Sequence, residues 1–167
     1  AALGLYGLLA VTVGERVLEA PRIIIATGAA PSVPPINGIE TTPYLVSDDI
    51  LQLSELPPRM LIVGAGPIAL EIGQAFQRLG SQVTMVEVLP EILPSEDREL
   101  VTMLGDYLAQ EGLTILAGVT IDLVAPVPGG GVQMTLTHDG ATQTHEADAL
   151  LIATGRAPAV EAIDLEA

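Results

Sequence analysis

The chain reads as an α/β fold: a parallel sheet of βαβαβ order, then a three-stranded antiparallel meander that crosses back to a last strand. Three observations carry this. An apolar run, Met60 to Val63, passes directly into Gly64-x-Gly66-x-x-Ala69 and a stretch of helical period. A second helical pattern lies between residues 95 and 112, with apolar runs on either side. Beyond residue 120 the period falls to two, and turn residues separate the runs.

Residues 1 to about 45 hold short apolar runs without helical period. Leu8 to Val13, Val17 to Ala20 and Arg22 to Ala26 are expected strands, parted by Gly14-Glu-Arg16 and Pro21. The opening run, Ala1 to Val13, is too short to span a bilayer and lacks a basic flank, so it reads as core strand. A proline-rich loop follows, Pro31-Ser-Val-Pro-Pro-Ile-Asn-Gly38. Ser47-Asp-Asp-Ile50 is expected to start a short helix, with the serine as cap. Pro57-Pro58 closes this connector.

A new domain begins at Arg59. Ile68, Ile72, Ala75, Phe76 and Leu79 share one helical face, and Gly80 supplies the stop. Gln82 to Val86 is the second strand and ends on Glu87. Ser95, followed by Glu96, Asp97 and Glu99, reads as the start of the next helix. Its expected buried stripe is Leu100, Met103, Leu104, Tyr107 and Leu108, with Gly112 at its end. Thr114 to Leu116 completes the unit, and right-handed crossovers place its strands parallel with the first central.

The meander comprises Thr120 to Ala125, Val132 to Thr137 and Thr142 to Ala147, with Asp139-Gly140 as a hairpin turn. Alternation in Val132-Gln-Met-Thr-Leu136 suits a sheet with one packed and one wet face. The final strand, Ala149 to Ala153, delivers a second Ala-Thr-Gly that echoes residues 26 to 28.

The segment from Arg59 to Glu87 has what a Rossmann-like dinucleotide site needs. Gly64 permits the tight turn, and Gly66 has no side chain to block a pyrophosphate. Ala69 lets the helix lie close to the strand, and the N–H groups at the helix start face the phosphates. Glu87 stands at the end of the second strand, where a carboxylate accepts hydrogen bonds from the ribose hydroxyls. It favours the free 2′-hydroxyl of NAD and repels the 2′-phosphate of NADP. No basic residue lies from Ser81 to Ser95 to neutralise that phosphate. Candidate cofactor-binding residues are therefore Gly64, Ala65, Gly66, Pro67, Ile68, Ala69 and Glu87, with NADH preferred over NADPH.

With 49% apolar residues, the 167-residue chain can bury a sizeable core, and an aliphatic one, since it has three Tyr, one Phe and no Trp. It has no cysteine, which excludes disulfides, thiolate metal sites and a cysteine nucleophile within the chain. Twenty-one acids against six arginines, with no lysine, give a net charge of −15. Such a surface repels nucleic acid and anionic membranes. No Ser-His-Asp grouping or metal-ligand cluster is evident. His138 and His145 fall in the expected hairpin and read as solvent-facing or structural.

Together, Ile23-Ile-Ile-Ala-Thr-Gly-Ala-Ala-Pro31, Val46-Ser-Asp-Asp49, Gly64-Ala-Gly-Pro-Ile-Ala-Leu-Glu71 and Ala153-Thr-Gly-Arg-Ala-Pro158 resemble the pyridine nucleotide–disulfide oxidoreductases. That family includes dihydrolipoamide dehydrogenase, glutathione reductase and mercuric reductase. The resemblance implies an NAD(P)H-binding domain at residues 59–150 inserted into an FAD domain. Residues 1–45 and 151–167 would be β segments of a truncated FAD domain, and 46–58 a connector. It further implies a fragment without the family's first FAD glycine motif, redox cysteine pair and C-terminal dimerisation domain; the parent either carries that cysteine pair or belongs to a cysteine-free branch.

By the same resemblance Glu71 lies where the family carries a glutamate near the nicotinamide and flavin, although a charge near a helix N-terminus is also favourable by itself. Pro67 departs from the aromatic or aliphatic residue of many relatives; it suits a first helical turn but offers no swinging shield. Ile121 matches a position that packs on adenine in relatives, or is ordinary core. Gly155 would let backbone approach the cofactor. Thr27 and Gly28 would touch FAD only in a complete FAD domain, and Arg156 would meet a phosphate or pair with an acid. The implied activity is hydride transfer from NADH to FAD in the full-length protein, in a cytoplasmic setting, with this chain alone inactive. The alternative is a non-catalytic dinucleotide-binding or sensing module.

Overall fold

The computed structural model describes residues 9–13, 16–22 and 24–160. In chain order the strands are β1 (Leu9–Val13), β2 (Arg16–Ala20), β3 (Ala29–Pro31), β4 (Leu45–Val46) and β5 (Arg59–Val63). Helix α1 (Pro67–Leu79), β6 (Gln82–Glu87), helix α2 (Arg98–Gln110) and β7 (Thr114–Ala117) follow. Then come β8 (Thr120–Pro126), β9 (Val132–His138), β10 (Ala141–Ala147), β11 (Ala149–Ile152) and β12 (Arg156–Pro158). From Arg59 to Ile152 the strands match the expected positions to within a residue or two; β4 and β12 are not expected from the sequence.

In its first section the chain forms a small unit, residues up to 30 with those from 157 onward. Its β1 and β2 pair antiparallel, Leu9 opposite Ala20 and Val13 opposite Arg16. The strand expected at Arg22 to Ala26 is not formed: residues 24–28 take no regular structure, and Ile24 is 91% exposed. An apolar run becomes a strand only where a neighbour completes its ladder, and no described residue does so here. Residue 8, the expected start of the first strand, lies outside the described residues.

Residues 31–156 form the larger unit. Its sheet is parallel throughout, in the order β4-β11-β5-β6-β7. β5, the first strand of the βαβαβ passage, is central, as expected. Its residues alternate between two cores, which is why the run Met60–Val63 is apolar without interruption. Met60 and Ile62 face Val83, Met85, Phe76 and Leu108 under the helices. Leu61 and Val63 face Val124, Met134 and Leu136 of the antiparallel sheet β10-β9-β8. Three layers result, with helices on one side of the parallel sheet and the meander on the other. The hairpin turn between β9 and β10 is Asp139-Gly140, both at positive φ (50° and 75°).

The helices bury faces slightly different from those the apolar pattern predicts. In α1 the buried residues are Ala69, Leu70, Gly73 and Phe76, whereas Ala75 and Leu79 are exposed. The small residues decide this: a Cβ on Gly73 would stand 3.1 Å from the Met85 sulfur and 3.2 Å from Ile62 Cδ1, so the helix lies close on its glycine side. Gly80 ends the helix in the left-handed conformation, as expected. In α2 the cap is Asp97 rather than Ser95; its carboxylate accepts from the Glu99 and Leu100 N–H groups. Starting there, the helix buries Val101 and Leu108, with Leu104 partly covered. Leu100, Met103 and Tyr107 of the expected stripe are exposed. Near Ser47 there is one 3-10 turn, Ile50–Gln52, and the serine does not cap it; its hydroxyl donates to Asp48.

Asp148 fastens the start of β5 to the entry of β11. Its carboxylate accepts from the Arg59 guanidinium (2.9 and 3.2 Å) and from the Arg59 N–H (2.9 Å). The Arg59 side chain holds the Asp148 carboxyl below its ordinary value of 3.8. Arg78 does the same to Glu111, and Arg156 to Asp48. A lowered native value stabilises the fold above the ordinary pKa, and that contribution disappears as pH falls through the lowered one. Asp148→Asn is thus expected to lower stability at neutral pH and to flatten the loss of stability below pH 3.8, as measured by urea unfolding across an acid series. Among the described residues no helix is long and apolar enough to cross a membrane.

Candidate functional site

The chain leaves β5 toward β6 on one side and returns to β11 on the other. Strand order therefore reverses at the carboxyl end of β5, where open parallel sheets bind ligands. The ladders run right up to this point: Gly64 N–H donates to the Val86 carbonyl (2.8 Å) and Ala153 N–H to that of Val63 (2.8 Å). A cavity of about 830 Å³ opens over it.

The two glycines serve different ends. Gly64 has φ +107°, and a Cβ there would stand 2.6 Å from the Ala153 carbonyl oxygen, so the fold itself requires glycine. Gly66 has ordinary extended backbone (φ −78°, ψ 179°), and a Cβ would meet no atom within 4 Å. Neither backbone nor packing demands glycine at 66; the room it leaves belongs to the cavity. Pro67 takes the first helical position, and Leu70 N–H makes the first intrahelical bond, to Gly66 (3.0 Å). The Ile68 and Ala69 amides precede that bond and have no acceptor within the helix.

Glu87 braces the loop. One carboxylate oxygen accepts from Ala65 N–H (2.8 Å), the other from Leu89 N–H (2.9 Å). With two acceptor sites per oxygen, each keeps one to offer. Glu87 is the only charged side chain in the cavity lining among the described residues.

Of the residues singled out from sequence, Gly64, Gly66, Pro67, Ile68, Glu87, Ile121 and Gly155 line the cavity. Ala65 and Ala69 are buried behind the loop. Glu71 is exposed, one turn further along α1, and is not part of the lining. Ile121 also packs against the core beneath the meander, so lining and core position coincide there. Gly155 has φ +118° with open space around it. Arg156 pairs with Asp48 at 2.8 Å. His138 and His145 stand on β9 and β10, away from this lining.

Sequence reasoning missed two walls. One consists of Val88, Leu89, Pro94 and Val119, beside Glu87; the other of Pro34, Pro35 and Ile36, with Thr154. The first left a trace in the sequence, because Val88 and Leu89 are apolar residues placed beyond the strand end, 58% and 46% exposed. The second left none, because its residues read only as loop.

Residues 7–167 match the family model described as pyridine nucleotide-disulphide oxidoreductase. The mercuric reductase of Lysinibacillus sphaericus is 36% identical over 157 residues, covering 94% of this chain and 29% of that protein. Dihydrolipoyl dehydrogenase 3 of Pseudomonas aeruginosa is 37% identical over 155 residues, 92% of this chain and 33% of that one. Among solved structures, the HOCl-induced flavoprotein disulfide reductase RclA from Escherichia coli superposes with a TM-score of 0.75 at 34% identity. That match covers 95% of this chain and 35% of RclA. The RclA Cu(II) complex gives 0.74 at 35% identity, over 95% and 36% of the two chains. The chain thus spans about a third of the length of these relatives.

Proposed function

The chain belongs to the pyridine nucleotide–disulphide oxidoreductase family, a family of FAD-dependent oxidoreductases, and we propose that it is the NADH-holding portion of such an enzyme. The observation that carries this reading is Gly66: a glycine required by nothing in the protein, open to a cavity at the sheet's switch point and next in the chain to Ala65, whose amide Glu87 holds. The residues fit the cofactor. The Ile68 amide and the Gly66 backbone take the diphosphate. The remaining acceptor sites of Glu87 take the ribose hydroxyls, and the Val88–Leu89 side supplies an apolar wall for a base.

Bound NADH supplies a hydride, destined for FAD in the whole enzyme. The chain's own part is to bind, orient and shield; among the described residues Glu87 is the one charged group lining the cavity, and it reads the sugar. Residues 59–150 hold the nucleotide in this reading, joined through the connector 46–58 to segments 1–45 and 151–167 of the FAD domain. No residue of this chain is assigned to FAD. The acceptor of the electrons and the dimerisation domain lie in the rest of the parent protein.

Calorimetric titration of the chain with NADH, NADPH and FAD tests the assignment. NADH is expected to bind at least about tenfold more tightly than NADPH, since a carboxylate with no nearby cation opposes a 2′-phosphate. FAD binding tighter than NADH at this cavity would transfer the site to the flavin.

A further inference from the structure

The proline-rich loop forms one wall of the cavity, and it is fastened at both ends. At its far end Ile36 is buried in the core, Asn37 accepts from Val124 N–H (2.9 Å), and the Asn37 side-chain amide donates to the Asp122 carbonyl (3.0 Å). At its near end the fastening is a pair of hydrogen bonds running in opposite directions. Ser32 N–H donates to the Gly155 carbonyl (3.0 Å), and the Thr154 hydroxyl donates to the Ser32 carbonyl (2.8 Å). Only residues 33–35 lie between the two fastenings, and two of them are prolines that fix their own φ.

Thr154 is exposed, so its hydroxyl is not needed to satisfy a buried group, and water could replace either partner. A bond of that kind adds little to global stability. Its effect is local: it fixes where Pro31, Pro34 and Pro35 stand relative to the carboxyl end of β11, on the same cavity as Gly66 and Glu87. A wall already in place need not be ordered when a ligand enters, and that saving appears in affinity.

The geometry points to Thr154 as a positioning residue: through Ser32 it holds the proline wall ready for the nucleotide. This rests on the NADH reading above. The test compares the unmodified chain with Thr154→Val, which keeps the shape but not the donor, and Thr154→Ser, which restores the donor. NADH affinity and the hydrogen exchange of the Ser32 amide are followed in all three. Thr154→Val is expected to weaken NADH about three- to tenfold and to speed Ser32 exchange, with the thermal midpoint unchanged; Thr154→Ser recovers both. If the unmodified chain does not bind NADH, the nucleotide reading falls and this assignment with it. If it binds, and Thr154→Val binds equally well, or Thr154→Ser fails to recover the loss, the assignment alone falls.

Discussion

Gly66→Val is expected to leave the fold standing and to weaken NADH binding at least about thirtyfold, or roughly 2 kcal/mol. The backbone at 66 is extended, a conformation a β-branched residue accepts, and its Cβ would enter open space. The thermal midpoint should therefore stay within about 2 °C of the unmodified chain. The valine methyl groups would occupy the room where a diphosphate must approach the helix amides. Gly64→Ala gives the opposite pattern. Its Cβ meets the Ala153 carbonyl at 2.6 Å and its φ is +107°, so about 1–3 kcal/mol of stability should be lost. Unfolding and NADH titration of the two variants separate a glycine the fold needs from one the ligand needs. Unimpaired NADH binding by a folded Gly66→Val protein would remove the main support for the site.

The second large effect is expected at Glu87. In Glu87→Arg, NADPH should bind more tightly than NADH, with NADH weakened about ten- to a hundredfold, because a guanidinium grips a 2′-phosphate and leaves the diol unpaired. Some stability should go as well, since the Ala65 and Leu89 amides lose their shared acceptor. Glu87→Gln separates the two roles. Its carbonyl can still accept from one amide, and its neutral side chain no longer repels phosphate. Discrimination between NADH and NADPH should then shrink while the fold holds. Equal binding of both nucleotides by the unmodified chain would show that Glu87 only braces the loop.

Much of this site was legible because its chemistry is local. Gly64, Gly66, Pro67 and Glu87 lie on one strand–helix–strand passage, and residue type alone states what each can do there. The hairpin at Asp139-Gly140 was legible for the same reason: both residues tolerate positive φ. What remained hidden is set by distant partners. The Val119 side of the cavity is placed by Gly118 N–H to the Leu89 carbonyl (2.7 Å) and Val119 N–H to that of Glu87 (3.1 Å). The proline wall is placed by Thr154, 122 residues away from Ser32. No local pattern encodes such pairings. The helix faces were misjudged for a related reason: large apolar residues mark the period, yet Ala69 and Gly73 allow closest approach to the sheet and so fix which side turns inward. At Arg22 to Ala26 the apolar run was real, but a strand needs a partner that no described residue supplies.

Among the described residues the cavity lining holds no cation, which has a consequence for the ionic medium. A dinucleotide is anionic, and the protein it approaches carries a charge of −15. In dilute buffer the two repel at long range, and the encounter is slowed. Dissolved electrolyte shortens the reach of that repulsion to about 10 Å at 0.1 M. Amide dipoles at a helix start act over the last few ångströms and are little affected by it. More concentrated salt should therefore hasten capture, the reverse of what an arginine-lined phosphate pocket would do.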